Sequence, residues 1–174
     1  NIAIGFNAMT TNTAGGVTNV AIGNYSLDAL TSGDGNVGVG METLSATNTG
    51  RYNTAVGYRT LYTNTSGDTN VAVGKESLYY NTTGDDNIAL GNQALTANTT
   101  GASNTAIGTN ALTANTTADD NVAIGHNTLS ANTTGTRNIG IGRGAYYGSD
   151  TENDNIAIGY NAMTTNTAGG TENT

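Results

Sequence analysis

Cysteine, proline and tryptophan are absent from the 174 residues, and histidine occurs once. Without cysteine there is no disulfide and no thiolate metal site. The lone His126 gives no His/Cys pair at metal-ligand spacing. Basic residues are also scarce: five Lys and Arg stand against thirteen Asp and Glu, for a net charge of −8. That balance argues against nucleic acid as a partner, because phosphate binding needs a basic face. No apolar run exceeds a few residues, so no segment is expected to insert in a membrane. Apolar residues are only 36% of the chain, below the usual globular level. They nevertheless fall in fixed columns, which disorder does not require.

The columns come from a tandem repeat. Asn-hydrophobic-small-hydrophobic-Gly opens the chain as Asn1 to Gly5 and returns at Asn19, Asn36, Asn53, Asn70, Asn87, Asn104, Asn121, Asn138 and Asn155. The first step, Asn1 to Asn19, is one residue longer than the 17-residue steps that follow it. A period this strict means a linear array of one small unit. Residues 1–16 match residues 155–170 except for Phe6 against Tyr160, which suggests a longer period over the short one. The chain starts in register on a repeat and stops at Asn173-Thr174, on the opening of another. Residues 1–174 therefore read as one repeat segment of a longer fibre.

Counting the Asn as position 0, positions 1 and 3 are nearly all Val or Ile, and position 2 is Ala or Gly throughout. Alternation with β-branched residues predicts a strand with one face buried. The large residues are expected inside, with the small column left outward for close approach of another chain. Position 4 is Gly in every copy, as at a corner with positive φ or a close backbone. Position 8 is a third apolar column, mostly Leu, followed by a polar Thr-Ala-Asn-Thr-Thr-Gly stretch. The Gly at position 14, as in Gly33, Gly67 and Gly135, reads as a turn signal. Asn, Thr, Gly and β-branched residues are weak helix formers, and the repeat is too short for a leucine-rich repeat or a propeller blade. The expectation is an all-β parallel solenoid of ten coils. Each coil has two short strands and two turns, and advances roughly 4.8 Å.

Stacked coils place equal positions above one another. The position-0 residues Asn19, Asn36, Asn53, Asn70, Asn87, Asn104, Asn121, Asn138 and Asn155 are then expected to form an amide ladder along the axis. Three large side chains per coil are few against the entropy of ordering its whole backbone. Side-by-side association as a homotrimer follows as the remedy.

The NTAIG and NVAIG strands with a following Ala-Leu resemble the head repeats of YadA-like trimeric autotransporter adhesins. The resemblance spans all ten repeats. It implies a left-handed, trimeric β-roll displayed extracellularly, on a cell surface, with a host-surface protein or glycan as partner. Those heads use shorter coils, so the extra residues here imply an outward bulge in the Asn-Thr-Thr-Gly stretch. The 17-residue array also resembles parts of phage tail fibres and of large surface proteins, which makes a virion surface the alternative. No stalk heptads are present to decide between the hosts.

Chemistry is sparse. His126 sits in a column shared with Phe6, Asn24, Met41, Tyr58, Lys75 and Arg143, as a solvent-facing site would be. The run from Gly33 to Gly40 lacks the Lys and the helix of a phosphate loop. No catalytic or cofactor-binding constellation is recognisable, and the chain does not read as an enzyme. Asp85, Asp86, Asp119 and Asp120 are the calcium candidates, with residues 150–154 a further acidic run; the alternative is solvated turns. Tyr62, Tyr79, Tyr80 and Tyr147, with Tyr146, depart from the repeat at positions 8 to 10. They are the candidate surface contacts, able to stack on sugars or to anchor a protein, or else to pack between chains. Sequons occur at Asn24, Asn64, Asn81, Asn98, Asn115 and Asn132, and most of them follow from the repeated Asn-Thr-Thr itself. Thr recurs at position 12 (Thr13, Thr31, Thr65, Thr82, Thr99, Thr116, Thr133, Thr167), and this column supplies a second alternative, an ice-matching surface. Asn48 and Asp150 interrupt it.

Overall fold

A computed structural model describes residues 1–12, 14–47, 49–148 and 151–164. Ten strands of three residues each, from β1 (Ile2–Ile4) and β2 (Val20–Ile22) to β9 (Ile139–Ile141) and β10 (Ile156–Ile158), form one sheet in chain order. Every neighbouring pair is parallel and in register on the repeat, so Val71 faces Ile88 and Val73 faces Leu90. The chain is a β-solenoid, and no helix occurs among the described residues. Each coil carries one strand instead of the expected two. The second wall is a pair of consecutive tight turns: Ser26 N–H donates to Gly23 O (3.3 Å) and Leu30 N–H to Leu27 O (3.2 Å).

These turns still take part in the stack. Leu78 N–H donates to Ala94 O (3.0 Å) and Tyr80 N–H to Thr96 O (3.1 Å) in the next coil, while Gln93 N–H donates back to Lys75 O (2.9 Å). The backbone points its N–H groups along the axis by turning left-handed at three places per coil. Position 6 (Glu76, φ 55°), position 8 (Leu78, φ 50°) and position 16 (Asp86, φ 57°) repeat this through the array. Left-handed backbone costs a Leu roughly 1–2 kcal/mol. The ladder bond and burial offset that cost, because an unpaired buried N–H costs about 1–3 kcal/mol.

The strand's inside and outside are the reverse of the sequence expectation. The Ala/Gly column at position 2, from Ala21 to Ala157, is buried, and the Val/Ile columns at positions 1 and 3 face outward. Ile22, Val56, Val73, Ile124 and Ile141 are between 36% and 38% exposed. The interior explains it. A Cβ added to Gly140 would lie 2.7 Å from Thr128 Cγ2 and 3.2 Å from Leu129 Cδ1. Position 2 therefore abuts positions 7 and 8 across the coil, and the Leu column already fills the space. The core is a Leu column at position 8, Leu27 to Leu129, between small residues, and Leu30 adds a second buried Leu to its coil. Tyr146 replaces Leu in the ninth coil and is fully buried, not displayed, with its hydroxyl accepting from Asn155 Nδ2 at 2.7 Å.

The glycines divide into two kinds. At position 4 both constraints hold: Gly91 has φ 138°, and a Cβ there would lie 2.6 Å from Gly108 O. At position 14 φ is ordinary, and Gly84 is needed only for proximity, its Cβ direction meeting Gly101 O at 2.3 Å. That column is a close approach between coils, not the turn its composition suggests, and it admits Ala118 and Glu152.

Candidate functional site

The invariant Asn column builds the scaffold on which any site must sit. Asn87 Nδ2 donates to Asn70 Oδ1 (3.1 Å) and to Gly101 O (2.8 Å). Its Oδ1 accepts from the backbone and side-chain nitrogens of Asn104 (3.0 and 3.1 Å). The same pattern holds at Asn36, Asn53, Asn70 and Asn104, and Asn19, Asn121, Asn138 and Asn155 extend the line. All nine are fully buried.

A second amide ladder, missed in the sequence, lies at position 11. Asn81 Nδ2 donates to Asn64 Oδ1 (2.9 Å) and Gly84 O (2.9 Å), and Asn98, Asn115 and Asn132 continue it. Gly84 O also accepts from Asn70 Nδ2 at 2.8 Å, so the position-14 carbonyl joins the two ladders. Its signal is the recurring Asn-Thr-Thr, which reads equally well as a sequon. The stretch does not bulge outward: its Asn and Gly are buried. The sequon amides at Asn64, Asn81, Asn98, Asn115 and Asn132 have no free surface in the folded coil, whereas Asn24 is exposed.

The acidic candidates are also partly spent on the stack. Asp85 Oδ1 accepts from Asp68 N–H (2.7 Å) and Asp119 Oδ1 from Ala102 N–H (2.8 Å). Asp86 accepts from the Thr69 hydroxyl. Asp86 and Asp120 take the left-handed position before the Asn, which Asp tolerates. Among the described residues no three His, Cys, Asp or Glu side chains come together as a metal would need. Asp150 of the acidic run lies outside the described residues. At the other end of the run in sequence, Asp154 accepts from Arg137 Nε and Nη2 at 2.5 and 2.7 Å. That pairing pulls the Asp154 carboxyl below its ordinary range and raises the Arg137 guanidinium.

At position 12 the hydroxyls bond along the column. Thr65, Thr82, Thr99 and Thr116 are half-buried, and each hydroxyl donates to the carbonyl of the next Thr in the column, at 2.9 to 3.2 Å. Their hydroxyl protons are used inside the stack. Thr13, Asn48, Asp150 and Thr167 of that column lie outside the described residues.

The tyrosines gather on a different face. Tyr62 and Tyr79 stack with centroids 5.1 Å apart at 13°, and Tyr79 meets Tyr80 edge-on at 4.6 Å and 74°. Arg59 lies over the rings of Tyr58 and Tyr62 at 5.1 and 5.6 Å, and its Nε bonds Glu42 Oε2 at 2.5 Å. The Glu42 hydrogen bond raises the Arg59 guanidinium, and burial pushes the Tyr79 phenol up. Tyr147, four coils on from Tyr79, belongs to a separate group with His126, Arg143 and Tyr160. His126 is exposed, as its column suggests. Comparison with family models, with curated proteins and with solved structures finds no match to this chain.

Proposed function

We propose that the chain is a structural and adhesive fibre segment: a left-handed β-roll that associates side by side as a homotrimer and presents its tyrosine-bearing face to a host surface. It performs no catalysis and needs no cofactor. It is displayed extracellularly, on a cell or virion surface, and its partners are its own copies and a host-surface protein or glycan. Nucleic acid and direct membrane insertion play no part. The observation that supports this reading is the outward Val/Ile face. Two columns of Val, Ile and Thr, with Leu90 at one place, run the length of the sheet on its outer face. A contiguous apolar face of this kind marks an association surface. The proximity of chains is thus assigned to the large residues, and the Ala/Gly column is confined to the core.

The ladders support the mechanical side of the reading. In-register amide stacking leaves few backbone groups unpaired along the axis, and each coil is held by its neighbours, as in other solenoids. Sedimentation equilibrium on the full chain tests association: a trimer is expected, converted to a folded monomer by Val73→Asp with Ile124→Asp. A wild-type chain that stays monomeric at high micromolar concentration, with unchanged far-UV circular dichroism, rules out the side-by-side trimer. Attachment is tested by the retention of chain-coated beads on host cells. Retention no better than on albumin-coated beads removes the adhesive part. A phage tail-fibre shaft would share the trimer and is the alternative setting.

A further inference from the structure

Three clefts fall on one line along the stack. The first is lined by Tyr25, Asp28, Glu42, Ser45 and Tyr62 and encloses about 160 Å³. The second, of about 380 Å³, is lined by Arg59, Glu76, Tyr79, Tyr80, Gln93 and Thr96. The third, of about 320 Å³, includes Asn127, Tyr147, Asn161 and Thr164. Those residues occupy positions 6 and 9 of their coils, with Tyr80 at position 10, and His126, Arg143 and Tyr160 at position 5 also line the third cleft. A line of clefts therefore forms a groove along the axis, interrupted at the coil from Asn104, on columns other than the Val/Ile columns at positions 1 and 3.

We propose that this groove binds a neutral, linear polysaccharide lying parallel to the coil axis, with Tyr79 and Tyr80 as its central stacking corner. The proposal rests on the reading of the chain as a displayed adhesive fibre and names its ligand class. Three observations carry it. The two rings meet nearly at right angles and Tyr80 is 53% exposed, so the corner offers an apolar wall to a sugar ring. Around it stand groups that hydrogen-bond hydroxyls without net charge. Gln93 Nε2 donates to Glu76 Oε2 at 3.0 Å, and the Thr96 hydroxyl donates to Glu76 O at 3.0 Å. The carboxylates here are engaged within the protein: Glu42 by Arg59 and Glu76 by Gln93 and Lys75. They act as acceptors and give a polycation little free charge, while the net charge of −8 disfavours an anionic polymer. The clefts recur along the axis, centred two coils and then four coils apart at roughly 4.8 Å per coil, and this favours an extended polymer over a compact ligand.

The chain has nine Tyr and no Trp, so tyrosine fluorescence reads the groove directly. The probes are cellohexaose, chitohexaose and maltohexaose, with heparin and oligolysine as charged alternatives. At least one neutral hexasaccharide is expected to bind, more tightly than its disaccharide. Tyr80→Ala should weaken it about tenfold, equivalent to ~1.4 kcal/mol, and Tyr80→Phe should retain it. Tyr52→Ala, at an exposed ring off the groove, should leave it unchanged. Failure of all three neutral sugars to bind, binding confined to heparin or to oligolysine, or indifference to Tyr80→Ala and Tyr79→Ala together would each overturn the proposal. Sedimentation and cell attachment on the same preparations separate the two ideas. A trimer that attaches but ignores the sugars removes only the groove assignment, and sugar binding by a monomer removes only the trimeric fibre.

Discussion

Replacing Asn87 by Ala should cost about 3 kcal/mol, and the structure shows where the loss falls. The side chain makes four hydrogen bonds, two given and two accepted. Three of the four partners keep another bond. Asn70 Oδ1 still receives the residue-87 N–H (3.0 Å), Gly101 O still receives Asn98 Nδ2 (2.9 Å), and Asn104 Nδ2 still reaches Ala118 O (2.8 Å). The Asn104 N–H alone is left buried with no acceptor. One such orphan costs ~1–3 kcal/mol, and the weakened bonds add roughly 0.5–1 kcal/mol in sum. Urea unfolding followed by far-UV circular dichroism gives the total, and hydrogen exchange gives its location. The Asn104 amide should exchange on the order of 100-fold faster in the variant, the equivalent of ~2.7 kcal/mol. Asn92→Ala, at an exposed position 5, is the control. A change within ~0.5 kcal/mol of wild type, with Asn104 exchange unaltered, would show that the buried ladder contributes no net stability.

The other predictions concern neighbouring features. Asn87→Asp keeps the shape but brings a carboxylate against Asn70 Oδ1 and Gly101 O. Its folded-state pKa should rise above the unfolded ~3.9. The variant should therefore be least destabilised below that pH and lose stability as pH rises through the folded value, read as the melting temperature at pH 3 and pH 7. Gly91→Ala must place a Cβ at φ 138° against Gly108 O, whereas Gly84→Ala meets only the proximity that Ala118 already tolerates. Equilibrium unfolding should show the first to be worse by more than ~1 kcal/mol. Leu95→Ala removes the largest core side chain of its coil and should cost ~2–5 kcal/mol by the same assay. The Asp154 carboxyl is held low by Arg137, so its contribution is present above its unfolded pKa and fades as pH falls through the lower folded value. The melting-temperature gap between wild type and Asp154→Asn should accordingly close in acid.

The period, the strand at positions 1 to 3, the parallel stacking and the position-0 amide line could all be read from the residues. Each is a consequence of repetition: once coils stack in register, equal residues must meet. The same logic could have found the second ladder, since Asn64, Asn81, Asn98, Asn115 and Asn132 recur as regularly as the first set. The Tyr62, Tyr79 and Tyr80 cluster was legible as a departure from the repeat, but not as part of a groove. That required knowing that positions 6 and 9 of adjacent coils line one channel.

The linear order therefore determines that this chain is a stack of 17-residue coils, because a strict period leaves no other arrangement in which every coil has equivalent neighbours. Only the folded coil decides which way each column faces. Alternation at positions 1, 2 and 3 is the same pattern with either phase inside, and the choice falls to the width of the interior. Leu27 and its successors enter from the opposite wall at left-handed φ and leave room for nothing larger than Ala21 or Gly38 beneath the strand. The Val and Ile side chains are turned out by that fit, and the apolar face they make belongs to the outside of the solenoid.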